Sequence, residues 1–311
     1  MKLDQPPRQN VDASLAAAFD NPELFCYAIV DSAQDQTLLE RFAKAYLSTR
    51  SMCLLPAAIE SGVEDYSPHL VSLSRLAADT LAWPDFIAAV SQQPASFTLL
   101  ASHLDFDDLW TSLAGFTEIV LPDNTEMIFA FWDPAVLGTL TGQASDTTLH
   151  VPGPVLSERQ RARLMQGIAA WWYWDRSGAP HQVLPASSAE ARLAYLVELP
   201  LKLKQFQVDM LVEAGMPDQL LSLVQENQPV LLRKVAPDQQ YYRMAKHLIE
   251  ARKLGLSGMR DILNYTCAAL IYGEDMYIND EITSLLAQVK AGEITVDAAM
   301  ALFPGPDEPD Y

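Results

Sequence analysis

The spacing of apolar residues changes once along this chain, and that change is the strongest constraint on its fold. From residue 189 to residue 303 the apolar residues recur at helical spacing, and Gly255, Gly273 and Gly292 lie where helices should end. Residues 25–132 instead contain short apolar runs, rich in β-formers, that alternate with helical stretches. The sequence therefore predicts an α+β fold, in which a mixed α/β lobe with a small mixed sheet precedes an all-α lobe.

Breaks in this pattern divide the chain into four segments. A Pro/Gly-rich stretch at Val151–Pro154 interrupts any helix or strand, and the proline-rich, acidic C-terminus is typical of disorder. The predicted segments are a mixed α/β lobe over residues 1–150, a connecting helix and linker over 151–188, a helical lobe over 189–303 and a disordered tail over 304–311.

The connecting segment carries the densest aromatic cluster in the chain. Ser157 and Gln160 fit the capping-box pattern, so we predict that a helix begins there and continues to about Trp174. On such a helix Trp171, Trp172 and Trp174 would point in different directions. The cluster is then either a core between the lobes or a set of aromatic anchors for a protein partner.

An excess of acidic side chains limits the partners that this protein can have. The 311 residues include 40 acidic and 21 basic side chains, for a formal net charge of −19 and a pI near 4.5. Residues 1–150 hold 20 acidic and 6 basic side chains, a net of −14. Such a surface repels nucleic-acid phosphates and anionic membranes, so we expect neither as a partner. Solubility explains the excess, and steering of a basic protein partner is the alternative.

The cysteines and the N-terminus favour the cytoplasm. Cys26, Cys53 and Cys267 are odd in number and form no C-x-x-C pair, which argues against a disulfide framework and fits a reducing compartment. The first residues lack the apolar run of a signal peptide, and no apolar stretch is long enough to cross a bilayer.

The sequence offers little support for catalysis. No phosphate-binding loop, nucleophile elbow or metal-ligand spacing occurs, so we expect no cofactor, no metal and no enzymatic activity. Asp31 and Asp133 each end an apolar run, where α/β enzymes often place catalytic acids, and His103 precedes an acidic helix start. Turn formation explains Asp133 equally well, because Pro134 follows it. A hydrolase using these residues remains the enzymatic alternative.

Several segments, in a consistent order, resemble the type VI secretion effector adaptors, also called Tap or TEC chaperones. Tyr27–Ala33 resembles the family's opening "Y-a-l-v-D-g-A", and Phe129–Leu137 resembles its "f-R-f-y-D-P-r-v-L". Weaker similarities lie at Tyr66–Val71, Ser96–Ala101, Leu121–Asn124 and Leu199–Leu203. Ala130 and Ala135 replace two arginines that are common in the family, so the role of those arginines does not carry over.

The resemblance implies a non-catalytic adaptor that binds one cognate effector and loads it onto the secretion spike. Its partners would be that effector and a VgrG-type spike protein or its PAAR tip. An immunity-type protein that binds and blocks a toxin is the alternative. The side chains that we expect to contact a partner are Trp132, Asp133, Trp171, Trp172, Trp174, Tyr241 and Tyr242.

Overall fold

The two kinds of apolar spacing correspond to two kinds of structure in a computed structural model of the protein. Sheets of six and three strands lie in the N-terminal region and the C-terminal region is helical, so the α+β class is confirmed. The chain divides into two units, Met1–Leu211 and Val212–Tyr311. The structure describes residues 8–44, 48–74, 87–88, 92–185, 192 and 194–305.

Nine strands and twelve helices are defined within these described ranges. The strands are β1 (Phe25–Asp31), β2 (Ser48–Cys53), β3 (Pro68–Leu73), β4 (Phe97–Ser102), β5 (Glu118–Val120), β6 (Glu126–Ile128), β7 (Ile168–Trp174), β8 (Pro180–Val183) and β9 (Leu201–Lys202). The helices are α1 (Arg8–Asp20), α2 (Leu38–Lys44), α3 (Pro56–Ser61), α4 (Phe106–Ala114), α5 (Pro134–Thr141), α6 (Glu158–Leu164), α7 (Gln205–Asn227), α8 (Pro237–Lys253), α9 (Met259–Tyr272), α10 (Asp275–Ile278), α11 (Asp280–Ala291) and α12 (Val296–Met300).

The six-stranded sheet has the order β2-β3-β1-β4-β7-β8, and every pairing in it is antiparallel. Its central strand β1 is buried on both faces. Tyr27 and Ile29 point into one hydrophobic cluster, whereas Ala28 and Val30 point into another on the opposite face. Burial on both faces explains why this strand is a continuous apolar run in the sequence.

The helix predicted from Ser157 to Trp174 is wrong in its second half. The capping box at Ser157 and Gln160 is present, but α6 ends at Leu164. Gly167 then adopts a φ of +76°, and a Cβ at this position would lie 2.5 Å from Leu104 Cγ. The left-handed turn separates the helix from β7, so the aromatic cluster forms a strand.

The strand conformation buries the whole aromatic cluster. Because side chains alternate along a strand, Trp171 and Tyr173 join the cluster that contains Tyr27, whereas Trp172 and Trp174 join the one that contains Val30. All four aromatic side chains of this run are at most 4% exposed. A helix packed on one side only would have left some of them in water.

The three-stranded sheet has the order β6-β5-β9 and is mixed, since β9 joins β5 in parallel. A hairpin connects β5 and β6. Asn124 lies at its turn with a φ of +66°, and the Asp123 carboxylate accepts the Thr125 N–H at 2.9 Å. Asparagine tolerates this conformation better than most residues, which suits it to this position of the turn.

The C-terminal unit packs its helices around one apolar cluster that includes Leu220, Met244, Leu248, Ile262 and Ile282. The three glycines that the sequence places at helix ends all have positive φ, with values of +84°, +57° and +73° in chain order. These conformations end the helices without the cost that a Cβ would add. Residues 306–311 of the predicted tail lie outside the described ranges.

A histidine is buried in this helical unit. His247 on α8 is 2% exposed, and its Nδ1 lies 3.1 Å from the Tyr277 hydroxyl, while its Nε2 has no hydrogen-bond partner among the described residues. Burial lowers the pKa of His247 to about 4, and the charges of Arg243 and Lys246 act in the same direction, against an opposing effect of Glu250. The imidazole is therefore neutral at pH 7.

Acidification should destabilise the helical unit through His247. The unfolded chain binds a proton at this residue near pH 6.5 and the folded chain only near pH 4, so stability is lost as the pH falls between these values. The expected loss is roughly 3 kcal/mol. Urea unfolding followed by far-UV circular dichroism at several pH values, for wild type and His247→Leu, measures it.

The difference between the two proteins isolates the histidine from other titrating groups. His247→Leu should lack this loss, so its stability relative to wild type should rise as the pH is lowered. The exposed His103, changed to glutamine, serves as the control and should follow wild type. A stability difference between wild type and His247→Leu that does not change with pH would contradict the prediction.

Candidate functional site

A cavity of about 410 Å³ lies at one end of the six-stranded sheet. There β1 and β7 end, β4 begins, and α5 presents its N-terminus. The walls are apolar at Pro94, Pro134 and Trp174 and acidic at the carboxylates of Asp133, Asp146 and Asp175. The remaining lining residues are Gln34, Gln93, Ala95, Ser96, Ala135, Thr148 and Arg176. A concave surface that combines apolar walls with a few charged groups is typical of ligand and peptide sites.

Asp133 caps the helix at the cavity wall. Its Oδ1 accepts the backbone N–H groups of Ala135 and Val136 at 2.8 and 3.1 Å, and Pro134 occupies the first helical position. These bonds satisfy two donors that the first turn of α5 would otherwise leave unpaired. The turn interpretation of Asp133 thus describes its local role, and its position also places the carboxylate beside the cavity.

Removal of this cap should cost a moderate amount of stability. Asp133→Ala should lower the free energy of unfolding of the N-terminal unit by about 1 kcal/mol, because two N–H groups lose their acceptor. Urea unfolding followed by tryptophan fluorescence measures the change. Asp133→Asn keeps a side-chain oxygen that can accept the same bonds, so it should stay close to wild type. Equal losses in the two variants would argue against the capping role.

Asp31 connects the two segments that carry the main resemblance, Tyr27–Ala33 and Phe129–Leu137. Its Oδ2 accepts the Trp132 indole N–H at 3.2 Å, and its Oδ1 accepts the Ala33 N–H at 3.0 Å. Burial raises the pKa of Asp31 above its usual value, the charge of Asp133 adds to the increase, and the two hydrogen bonds oppose it. Trp132 is 6% exposed, so this contact is largely closed to solvent.

The three residues of the hydrolase hypothesis do not converge. Asp31 lies at the end of the sheet where β4 begins, because Val30 pairs with Phe97. Asp133 lines the cavity at the same end, together with Ser96. His103 follows the last residue of β4 and therefore lies at the opposite end, where it is exposed. A histidine at that distance cannot act as a general base for a reaction at either carboxylate.

Most of the aromatic side chains expected to contact a partner are buried. Trp171, Trp172 and Trp174 are 0%, 1% and 4% exposed, although Trp174 lines the cavity. On α8, Tyr241 is 8% exposed and Tyr242 is half-buried, and their rings form an edge-to-face pair with centroids 5.6 Å apart. Their role in partner binding stays a prediction.

Ala130 and Ala135, the two departures from the resemblance noted in the sequence, lie in different surroundings. Ala130 packs against the hydrophobic cluster that contains Phe131. Ala135 lies in the first turn of α5 and lines the cavity. A small side chain at position 135 leaves space in the cavity that a longer one would occupy.

Two carboxylates that line the cavity meet a buried imidazole, a cluster that the sequence did not predict. Asp146, Asp175 and His181 are 3%, 6% and 8% exposed, and one potential ligand atom of each lies within 4.8 Å of the other two. The His181 Nε2 lies 2.9 Å from the Asp175 Oδ2. The Tyr173 hydroxyl donates to the Asp146 Oδ2 at 2.9 Å. Asp175 and His181 are six residues apart and Asp146 lies 29 residues before Asp175, a spacing that matches no common metal-binding motif.

Hydrogen bonds favour the charged form of one of these acids. Burial by itself would raise the pKa of Asp175, but bonds from His181, Ser177 and Ala179 outweigh that effect and hold the pKa below its usual value. Burial also raises the pKa of Tyr173, and the neighbouring Asp146 charge increases the shift. The tyrosine hydroxyl therefore keeps its proton and acts as a donor.

One comparison with known proteins bears on the function. Residues 26–151 match the family model described as Domain of unknown function (DUF4123). This family is associated with type VI secretion effector adaptors, which supports the resemblance seen in the sequence. The match covers about two fifths of the chain, from β1 to beyond α5, and includes Asp133 and Asp146. Neither a curated protein nor a solved structure matches the chain.

No helix within the described residues is both long and apolar enough to cross a membrane.

Proposed function

We propose that this protein is a non-catalytic adaptor that binds a cognate type VI secretion effector and loads it onto a VgrG-type spike protein or its PAAR tip. The observation that carries the proposal is the family match over residues 26–151. In this role the protein acts in the cytoplasm before secretion, without a cofactor.

The cavity offers a physical basis for partner recognition. Apolar walls at Pro94 and Trp174 can accept an aliphatic or aromatic side chain, while the neighbouring carboxylates favour a partner of basic character. The net charge of −19 would speed the encounter with such a partner at low ionic strength. The separation of His103 from Asp31 and Asp133 gives the hydrolase hypothesis no comparable support.

The test is co-purification from the native host. Tagged protein should retain an effector or spike protein at about one copy per chain through a salt wash, as identified by mass spectrometry. Deletion of this chain should abolish secretion of that effector. A purified monomer without a partner, together with unchanged secretion in the deletion strain, would overturn the proposal. A partner toxin whose activity is blocked by this protein would indicate the immunity alternative.

A pair of variants locates the contact. Ala135→Trp fills part of the cavity, whereas Ala57→Trp adds the same side chain to an exposed position on α3. Loss of the partner with the first variant alone places the contact at the cavity. If both variants retain the partner, the contact lies outside the cavity and the proposed adaptor role is unaffected.

A further inference from the structure

We propose that Asp146, Asp175 and His181 form a binding site for one divalent cation of the zinc or manganese type. The proposal concerns the wall of the cavity and does not depend on the adaptor role. It also departs from the sequence-based expectation that the protein has no metal site, because folding brings Asp146 to two ligands of the β7–β8 hairpin whose spacing matches no metal-binding motif.

The distances suit a shared ion. One oxygen of each aspartate and one ring nitrogen of the histidine all lie within 4.8 Å of one another, and His181 Nε2 lies 2.9 Å from Asp175 Oδ2. Two ligands that each lie about 2.1 Å from one ion are separated by about 3–3.4 Å. The ion can therefore replace the proton between Nε2 and Oδ2 with small movements of the side chains.

The second polar atom of each ligand is already held by another group. The Asp146 Oδ1 accepts the backbone N–H and the hydroxyl of Thr148, at 2.9 and 2.7 Å. The Asp175 Oδ1 accepts hydrogen bonds from Ser177 and from the Ala179 N–H.

The third ligand is held in the same way, since the Ser145 hydroxyl lies 3.3 Å from the Nδ1 of His181. Outer contacts of this kind orient metal ligands and leave the inner atoms pointing at a common centre. The proposed inner atoms are Oδ2 of Asp146, Oδ2 of Asp175 and Nε2 of His181. The Asp146 Oδ2 also accepts the Tyr173 hydroxyl at 2.9 Å, and a carboxylate oxygen has a second lone pair with which it can bind an ion.

The cavity supplies an entry path and free coordination positions. Asp146 and Asp175 both line it, so an ion can reach the cluster from solvent without unfolding the sheet. Three protein ligands leave at least one position open toward the cavity, where water or a partner group can bind. Site accessibility, ligand count and supporting hydrogen bonds are the features that a metal site must combine.

Charge balance favours a cation at this position. Two carboxylates, each more than nine-tenths buried, face one imidazole, so the cluster carries excess negative charge even when the histidine is protonated. A buried carboxylate is costly unless a positive charge or several donors compensate it. Thr148 and Tyr173 donate to Asp146, and Ser177, Ala179 and His181 bond to Asp175, so hydrogen bonds offset part of this charge and a cation would offset the remainder. One imidazole nitrogen and two carboxylate oxygens suit Zn²⁺ or Mn²⁺ better than Mg²⁺, which prefers oxygen ligands alone.

The alternative is an ion pair that only stabilises the β7–β8 hairpin, whose turn is closed by the Asp175 N–H bond to the Ala179 carbonyl. The ion-pair and metal-site interpretations predict different responses of the protein to metal. A hairpin ion pair needs none, whereas a metal site must bind an ion with defined stoichiometry and lose it when a ligand is changed.

Titration of the full chain with MnCl₂, followed by electron paramagnetic resonance, distinguishes them. Protein without an affinity tag is first treated with a chelator, and bound Mn²⁺ is detected as loss of the six-line signal of the free ion. We expect one site per chain, with ZnCl₂ competing for it. Asp146→Asn and His181→Gln should each weaken binding by at least about 100-fold, and Ser145→Ala by about 10-fold.

The exposed His103, changed to glutamine, controls for adventitious binding to surface histidines and should leave the affinity unchanged. Circular dichroism of each metal-free variant checks that it is folded. If either Asp146→Asn or His181→Gln fails to fold, the Mn²⁺ affinity of the other variant tests the proposal. The proposal is overturned if wild type does not bind Mn²⁺ at millimolar concentration, or if a folded ligand variant binds it as tightly as wild type.

Discussion

Replacing Trp171 with alanine should lower the free energy of unfolding of the N-terminal unit by about 3–5 kcal/mol. Trp171 is fully buried in β7, opposite Leu100 of β4, and its ring meets that of Phe131 edge-to-face at 6.0 Å. Truncation removes these contacts and leaves a cavity that the neighbouring strands cannot close. A loss of this size is a large fraction of the stability of an ordinary domain.

Urea unfolding followed by tryptophan fluorescence measures this loss in the N-terminal unit, because all six tryptophans precede residue 212. Trp171→Phe should cost less than the alanine variant, since it retains a ring and removes an indole N–H for which the described part of the chain offers no hydrogen-bond partner. Tyr195→Ala, at a position 73% exposed, is the aromatic control and should change stability by less than about 0.5 kcal/mol.

The same variants test whether Trp171 contacts a partner. A core residue affects binding only by unfolding the unit, so Trp171→Phe should keep both its fold and its partner. A stable Trp171→Ala protein that has lost its partner would instead show that Trp171 forms part of a binding surface. That outcome would contradict the stability prediction and favour the hot-spot interpretation of the aromatic cluster.

Gly153→Ala should lower the free energy of unfolding by about 3–5 kcal/mol, the combined cost of a left-handed conformation and a steric clash. Gly153 has a φ of +72°, and a Cβ there would lie 2.0 Å from the Thr139 carbonyl oxygen. That carbonyl belongs to α5 and accepts the Val155 N–H at 3.1 Å. The clash therefore forces the segment away from the helix that borders the cavity.

Gly62→Ala separates the two causes. Gly62 has nearly the same φ, +71°, but a Cβ there would meet nothing within 4 Å. It should lose only about 1–2 kcal/mol, the cost of the left-handed conformation itself. Both variants are measured by urea unfolding with tryptophan fluorescence. Similar losses in the two would mean that the contact with Thr139 contributes little.

The sequence by itself determined the features that depend on neighbouring residues. The capping box at Ser157 and Gln160, the turn at Asn124 and the helix-ending conformation of Gly292 all follow from local hydrogen bonds and backbone sterics. The apolar run of β1 also predicted a buried strand, because a strand covered on both faces has no polar alternation to interrupt it. In each of these cases the conformation that the local residues favour is also the one found in the overall fold.

Tertiary structure decided the conformation of the aromatic cluster and the composition of the cavity wall. Trp171–Trp174 fits either a helix or a strand by its spacing, and only the pairing with β4 and the cover on both faces selects the strand. Asp175 and His181 lie six residues apart on one hairpin and Asp146 lies in a separate loop, and the three share no common motif. Their meeting depends on the β7–β8 hairpin and on the loop after α5, and such long-range contacts arise from packing rather than from local sequence.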